Sequence, residues 1–211
     1  MPRWILTCAR AAWVGCLAVL MAAAAAAPAV QSQATREIAR LVMAHGDHGH
    51  RPFAVVDKRS ATLAVYRGDG SLAGTTAVLL GRSPGDASMP GVGERTQRGE
   101  LRPDDATTAA GRFESVPGRN LTGEAVVWLD HEAAFAIHRL RPGASERARA
   151  RALSSPRASD RRLSAGCVVV PVAFYESVVA PLLGSRRGVV YVLPEQRSWQ
   201  QFWADLVDQQ L

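Results

Sequence analysis

The chain has 211 residues, of which 25 are Lys or Arg and 19 Asp or Glu, for a formal charge of +6. That length suffices for one domain with a real core and a leader before it. The positive charge is nearly all arginine, with Lys58 the sole lysine. No stretch interleaves aromatic with basic residues as single-strand binders do, which argues against nucleic acid and for carboxylate-bearing or other anionic partners.

Arg3 and Arg10 are the only charged side chains before Arg36, and an apolar run that includes Ala22 to Ala27 follows them. A basic start, an apolar middle and small residues after it predict an export signal over residues 1–34, with cleavage near Ala27 or after Ala34. The alternative is an uncleaved anchor, because Ala11 to Val30 runs 20 residues without a charge. Either reading places the remaining chain outside the cytoplasm, in the periplasm or cell envelope.

Residues 35–51 are expected to be a short helix, capped by Thr35, and then a His-rich linker. His45, His48 and His50 in that linker suit either a plain polar junction or a weak metal site. The main domain is expected over 52–195. Phe53 to Asp57, Ala61 to Tyr66 and Ser71 to Leu80 read as an antiparallel meander, turned at Arg67-Gly68-Asp69-Gly70. Residues 81–106 show little periodicity and read as a long loop. Strands resume at Gly111 to Val116, Glu124 to Leu129 and Ala133 to His138. Asn120-Leu121-Thr122 matches a glycosylation acceptor but reads as a plain turn.

Arg141 to Arg162 is a polar connection with seven arginines, partly helical around Ser145 to Leu153. Pro171 to Leu183 is predicted to be a helix and Gly188 to Leu193 a strand. Residues 196–211 hold an amphipathic helix capped by Ser198, with Trp199, Phe202, Trp203, Leu206 and Val207 inward. The fold class is therefore mainly β, with short flanking helices.

Of three cysteines, Cys8 and Cys16 fall in the leader, so the exported chain keeps Cys167 alone. Structural cysteines in an oxidising compartment come in pairs. A lone one is an intermolecular bridge, an inert buried thiol or a nucleophile. A nucleophile needs a base, and two histidines outside the linker are candidates. His131 sits in a turn between Asp130 and Glu132 and is expected to be solvated. His138 ends a strand, where a base is well held. Arg161 and Arg162 could add a positive field.

The segment Ser164-Ala165-Gly166-Cys167, preceded by the strand-terminal His138, resembles the signature of the L,D-transpeptidase family (YkuD-like catalytic domain). "PFAVVDKRSATLAVYRGDG" resembles its opening hairpin, and "TTAAGRF" its T-P-x-G-x-F turn with Ala109 at the proline. "CVVVPVAFYESVV" and "VVYVLPE" are similar to its closing helix and strand. The resemblance implies a β-sandwich-like catalytic domain acting on peptidoglycan stem peptides without metal or organic cofactor. Cys167 would be the nucleophile and His138 the general acid and base. The backbone of Arg139 would orient His138, Ser164 would support the turn, and Gly166 would belong to the oxyanion turn. Arg161 and Arg162 would bind substrate. The expected product is a thioester, resolved by an amine acceptor in transpeptidation or by water in carboxypeptidase-like hydrolysis. A non-catalytic wall-binding domain is the alternative. Membrane contact is expected only through an uncleaved leader. Two departures stand out: Ala165 where the family has His or Tyr, and Val169 where it has Arg or Asn.

Overall fold

The computed structural model describes residues 29–208; the expected leader lies outside them, apart from its last six residues. Helix α1 (Gln33–His45) is capped by Ser32, whose Oγ accepts from the Thr35 N–H at 3.0 Å. The helix thus begins two residues before the expected start, and Thr35 is buried inside it instead of capping it. Ser32 wins because its backbone is extended while its hydroxyl reaches the first free N–H groups.

Ten strands follow: β1 (Phe53–Asp57), β2 (Thr62–Tyr66), β3 (Leu72–Ala77), β4 (Leu80–Gly81), β5 (Gly111–Arg119), β6 (Ala125–Asp130), β7 (Phe135–Arg139), β8 (Arg162–Ser164), β9 (Val168–Val170) and β10 (Gly188–Leu193). Eight of them form one sheet in the order β3-β2-β1-β10-β5-β6-β7-β9, and β4 pairs with β8. Only β1–β10 and β7–β9 run parallel within the larger sheet. The sheet curls until its ends meet, because Leu79 and Val169 exchange backbone hydrogen bonds at 2.8 and 2.9 Å. The expected mainly β domain with short flanking helices is what forms, and one curled sheet supplies both of its faces.

The period-2 patterning decides which face each side chain takes. Ala54, Val56, Leu63, Val65, Val190 and Val192 point inward to one core. Phe53, Val55, Ala64, Tyr66, Val189 and Tyr191 point outward into a second core, covered by α1 and by α6 (Trp199–Asp208). With both faces covered, β1, β2 and β10 are buried along their whole length. The inner core is closed by a helix over residues 172–182, made of α4 (Val172–Phe174), a π-helical stretch (Tyr175–Val179) and α5 (Ala180–Leu182). Pro181 has no N–H to give and its ring crowds the carbonyl of Ser177, so the helix widens there. Tyr175, Val179 and Leu183 are buried; the 3.6-residue pattern puts Tyr175, Val178, Val179 and Leu182 on one face, and of these Val178 and Leu182 are only partly buried against the core.

The His-rich linker is not a loose junction. His48 is 1% exposed, packs on Phe53 and meets the Gly68 carbonyl through Nε2 at 3.1 Å. Asp47 accepts from Arg112 at 2.8 Å and from the Tyr191 hydroxyl. Among the described residues, no cluster of His, Cys, Asp or Glu is arranged to hold a metal.

The long segment after β4 contains α2 (Val92–Arg98), which the weak periodicity hid. Lys58 ties this segment down from β1's end. Its fully buried Nζ donates to the Gly85 carbonyl, to Asp86 at 2.6 Å and to the Thr108 carbonyl at 2.9 Å. Asp86 in turn accepts from the Glu195 and Gln196 N–H groups at 2.9 Å. Removing one partner of such a buried pair strands the other. Lys58→Met is therefore expected to lower unfolding free energy by about 3 kcal/mol, read as a shift of the urea midpoint. A midpoint unchanged from wild type would show that Lys58 is not the clamp.

Candidate active site

Parallel pairing of β7 with β9 sets Ile137 opposite Val168, His138 opposite Val169 and Arg139 opposite Val170. Cys167 immediately precedes β9. Two residues before Val169 along the chain, it shares the face that His138 takes, with Cα atoms about 8 Å apart from strand spacing and rise. The thiol lies against β7, 3.5 Å from the Ala134 carbonyl. Ala134 holds a positive φ of 53°, rare for a residue with a Cβ.

The turn before the thiol is braced from several sides. Ser164 Oγ donates to the Cys167 carbonyl at 2.6 Å and accepts from the Gly166 N–H at 3.1 Å. Thr108 Oγ1 donates to the Gly166 carbonyl at 2.8 Å. Gly166 has φ +124°, and a Cβ there would sit 3.0 Å from the Thr107 carbonyl oxygen. Glycine is required on both counts. Since its N–H is taken by Ser164, an oxyanion at this turn would have to be met by other donors.

His138 is 6% exposed, and its Nδ1 lies 2.8 Å from the Arg139 carbonyl. A carbonyl only accepts, so Nδ1 carries the proton and the neutral ring keeps its lone pair on Nε2. Burial pushes the pKa of His138 down from 6.5 to about 4, and the nearby Arg141 guanidinium pushes the same way. The Arg139 carbonyl and Glu124 oppose this, while Arg149 adds to it. Cys167 is partly exposed as a residue, yet protein crowds its sulfur and burial raises the thiol pKa. A backbone hydrogen bond at Ala136 and the charge of Arg141 work against that rise. At neutral pH the resting pair is thiol and imidazole, both uncharged.

The arginines around the pair differ from those read in the sequence. Arg161 is buried and spends its guanidinium on the carbonyls of Ser155, Ser60 and Ala61. Arg162 pairs with Glu195 and with the Lys58 carbonyl. Both are tied into the frame, and neither is among the charges felt by His138 or Cys167. Arg141 and Arg149 place their charges on His138 instead, and Arg141 on Cys167 as well; their signal was only the arginine-rich stretch itself. His131 is exposed and packs edge-on to Trp128.

Val169 is 2% exposed among Leu79, Leu140, Ala152 and Leu153. Ala152 and Leu153 belong to α3 (Glu146–Leu153). The valine is thus the seat on which the arginine-rich connection docks.

No protein-family model and no curated protein matches the chain. Its fold is similar, at low identity, to solved L,D-transpeptidase structures. The catalytic domain of an E. faecium L,D-transpeptidase aligns over 68% of this chain and 98% of its own, with 18% identity and TM-score 0.35. The L,D-transpeptidase of Xylanimonas cellulosilytica aligns over 67% of this chain and 60% of its own, with 17% identity and TM-score 0.39. The helical cell shape determining protein Pgp2 of Campylobacter jejuni aligns over 79% of this chain and 57% of its own, with 14% identity and TM-score 0.44. The chain spans about three fifths of the length of these last two. At these scores the likeness concerns the fold alone.

Two outcomes follow from the geometry. An unfolded-chain histidine protonates near 6.5 while folded His138 stays neutral down to about 4. Between those values the unfolded state binds the extra proton, so the stability that neutral His138 contributes is complete above about pH 6.5 and lost as pH falls toward 4. Urea midpoints should drop more steeply across this window in wild type than in His138→Gln, and equal slopes would contradict the assignment. Gly166→Ala should cost at least about 1 kcal/mol from the positive φ alone, measured by thermal unfolding.

Proposed function

We propose that the protein is an exported cysteine-dependent peptidyl transferase of the L,D-transpeptidase type, acting on peptidoglycan stem peptides in the cell envelope. The observation that best supports this is the register of β7 and β9. It sets a base with a free Nε2 and a thiol on one face of adjacent strands, with the base oriented by the Arg139 carbonyl and the thiol on a braced glycine turn. The sequence resemblance supplies the substrate class.

In this reading Nε2 of His138 takes the thiol proton as Sγ attacks the carbonyl before the terminal D-alanine. Since the Gly166 N–H is occupied, another backbone N–H of the turn, such as that of Cys167, would meet the developing oxyanion. Collapse breaks the C–N bond, the imidazolium returns its proton to the leaving amine, and a thioester remains. An amine of a second stem resolves it to a cross-link, and water resolves it to a shortened stem. Ser164 and the Arg139 carbonyl hold geometry and exchange no proton. No helix among the described residues is long and apolar enough to cross a membrane.

Intact-mass measurement after exposure to a carbapenem tests the reading. Wild type should gain one covalent adduct, Cys167→Ala none, and His138→Ala should form it about a hundredfold more slowly or worse. A wild-type protein that stays unmodified, yet still binds purified wall, would replace the enzyme by a wall-binding domain.

A further inference from the structure

α3 docks on the sheet through Ala152 and Leu153, which pack with Val169. Arg149 lies three and four positions before them, so it shares their helix face and is carried toward the strand pair that holds His138. Its Nη2 donates to the Arg141 carbonyl at 2.9 Å, which joins the arm to the end of β7. Its Nε is buried and has no acceptor among the described residues. A guanidinium N–H without a partner calls for an anionic or carbonyl oxygen.

Arg141 is the second element. Its Nε lies 2.5 Å from Glu124 but off the line of a hydrogen bond, so the contact is ionic. Arg139 draws on the same Glu124 carboxylate at 3.1 Å. Two guanidinium groups thus share one carboxylate, and among the described residues Arg149 has no ion pair. The Arg141 side chain is 38% exposed, open enough for a ligand to reach.

We propose that Arg141 and Arg149 form a carboxylate-binding subsite beside the Cys167–His138 pair. The proposal rests on the peptidyl-transfer reading and names what the site grips, a free carboxylate of the peptide substrate. Arginine suits this because its planar fork can meet both carboxylate oxygens. Val169, apolar on the strand, leaves that task to side chains brought over it by α3.

The test compares two alkylating agents of nearly equal size, iodoacetate and iodoacetamide. Each forms a bond to Sγ of Cys167 and releases iodide, but only iodoacetate carries a carboxylate. The ratio of the two rates is the readout. Arg141→Gln and Arg149→Gln should each lower the iodoacetate-to-iodoacetamide ratio about tenfold, the scale of one charge-assisted hydrogen bond. Arg149→Lys should retain part of it, more than Arg149→Gln does, which separates charge from any disturbance of α3. An unchanged ratio in both glutamine variants overturns the subsite. Alkylation requires no peptidyl transfer, so failure of the enzyme reading leaves this result independent. With stem peptides, amidating the terminal and the side-chain carboxylate one at a time identifies the one gripped. Its amidation should raise KM about tenfold in wild type and not in Arg149→Gln, and no KM change from either amidation would also overturn the proposal.

Discussion

The site depends on one pairing, the parallel alignment of β7 with β9. Side chains alternate along each strand, so a slip of one residue would turn Cys167 and His138 to opposite faces. The register is held from both sides. Ile137, Val168 and Val170 are locked into the inner core, and Val169 is locked beneath α3. The Leu79–Val169 bridge adds backbone bonds on the far edge of β9. A three-residue strand would be weak alone. Here it is packed above, packed below and bonded along both edges.

This makes the valine run part of the chemistry's support. A polar group at Val169 would have to be buried where only Leu79, Leu140, Ala152 and Leu153 surround it, and it would lack a partner. The apolar choice lets α3 dock, and docking brings Arg149 over the site. Charge that a strand residue could have supplied comes from a helix twenty positions earlier in sequence. Arg161 completes the arrangement from a distance, since its bonds to Ser155, Ser60 and Ala61 tie the end of the arm to the β1–β2 turn.

Much of this was legible before the structure. Alternation and β-rich runs located β1, β2, β6, β7 and β10 to within a residue or two, whereas β8 and β9, of three residues each, are too short to register as strands. Ser164 through Cys167 and His138 stood out because their residue types are scarce and chemically loaded. What could not be read was non-local. Arg161 and Arg162 are as arginine-rich in context as Arg141 and Arg149, and only tertiary packing tells a frame arginine from one beside the thiol. The burial of His48 depends on Phe53 and Gly68, contacts that a short-range pattern does not contain. α2 has seven residues, too few for periodicity to register. The π-helical stretch follows from Pro181, but its effect is to bury Leu183 more deeply than Leu182, which propensity alone does not predict.

The electrostatics of the pair bear on how the Cys167 thiol would survive in the oxidising cell envelope of the proposed function. A thiolate beside an imidazolium would be reactive toward every oxidant and disulfide it met. Burial pushes the histidine down and the thiol up, so the resting state stores no charge. Separating charge between them then needs something to compensate it, and in the proposed function an incoming peptide would do that by presenting its carbonyl to the turn donors as the proton moves. Nucleophilicity would appear with the substrate and leave with the product. The surrounding arginines fit the same logic. They disfavour the imidazolium at rest, and an anionic ligand bound among them would offset their field, making proton transfer to His138 easier when the site is filled than when it is empty.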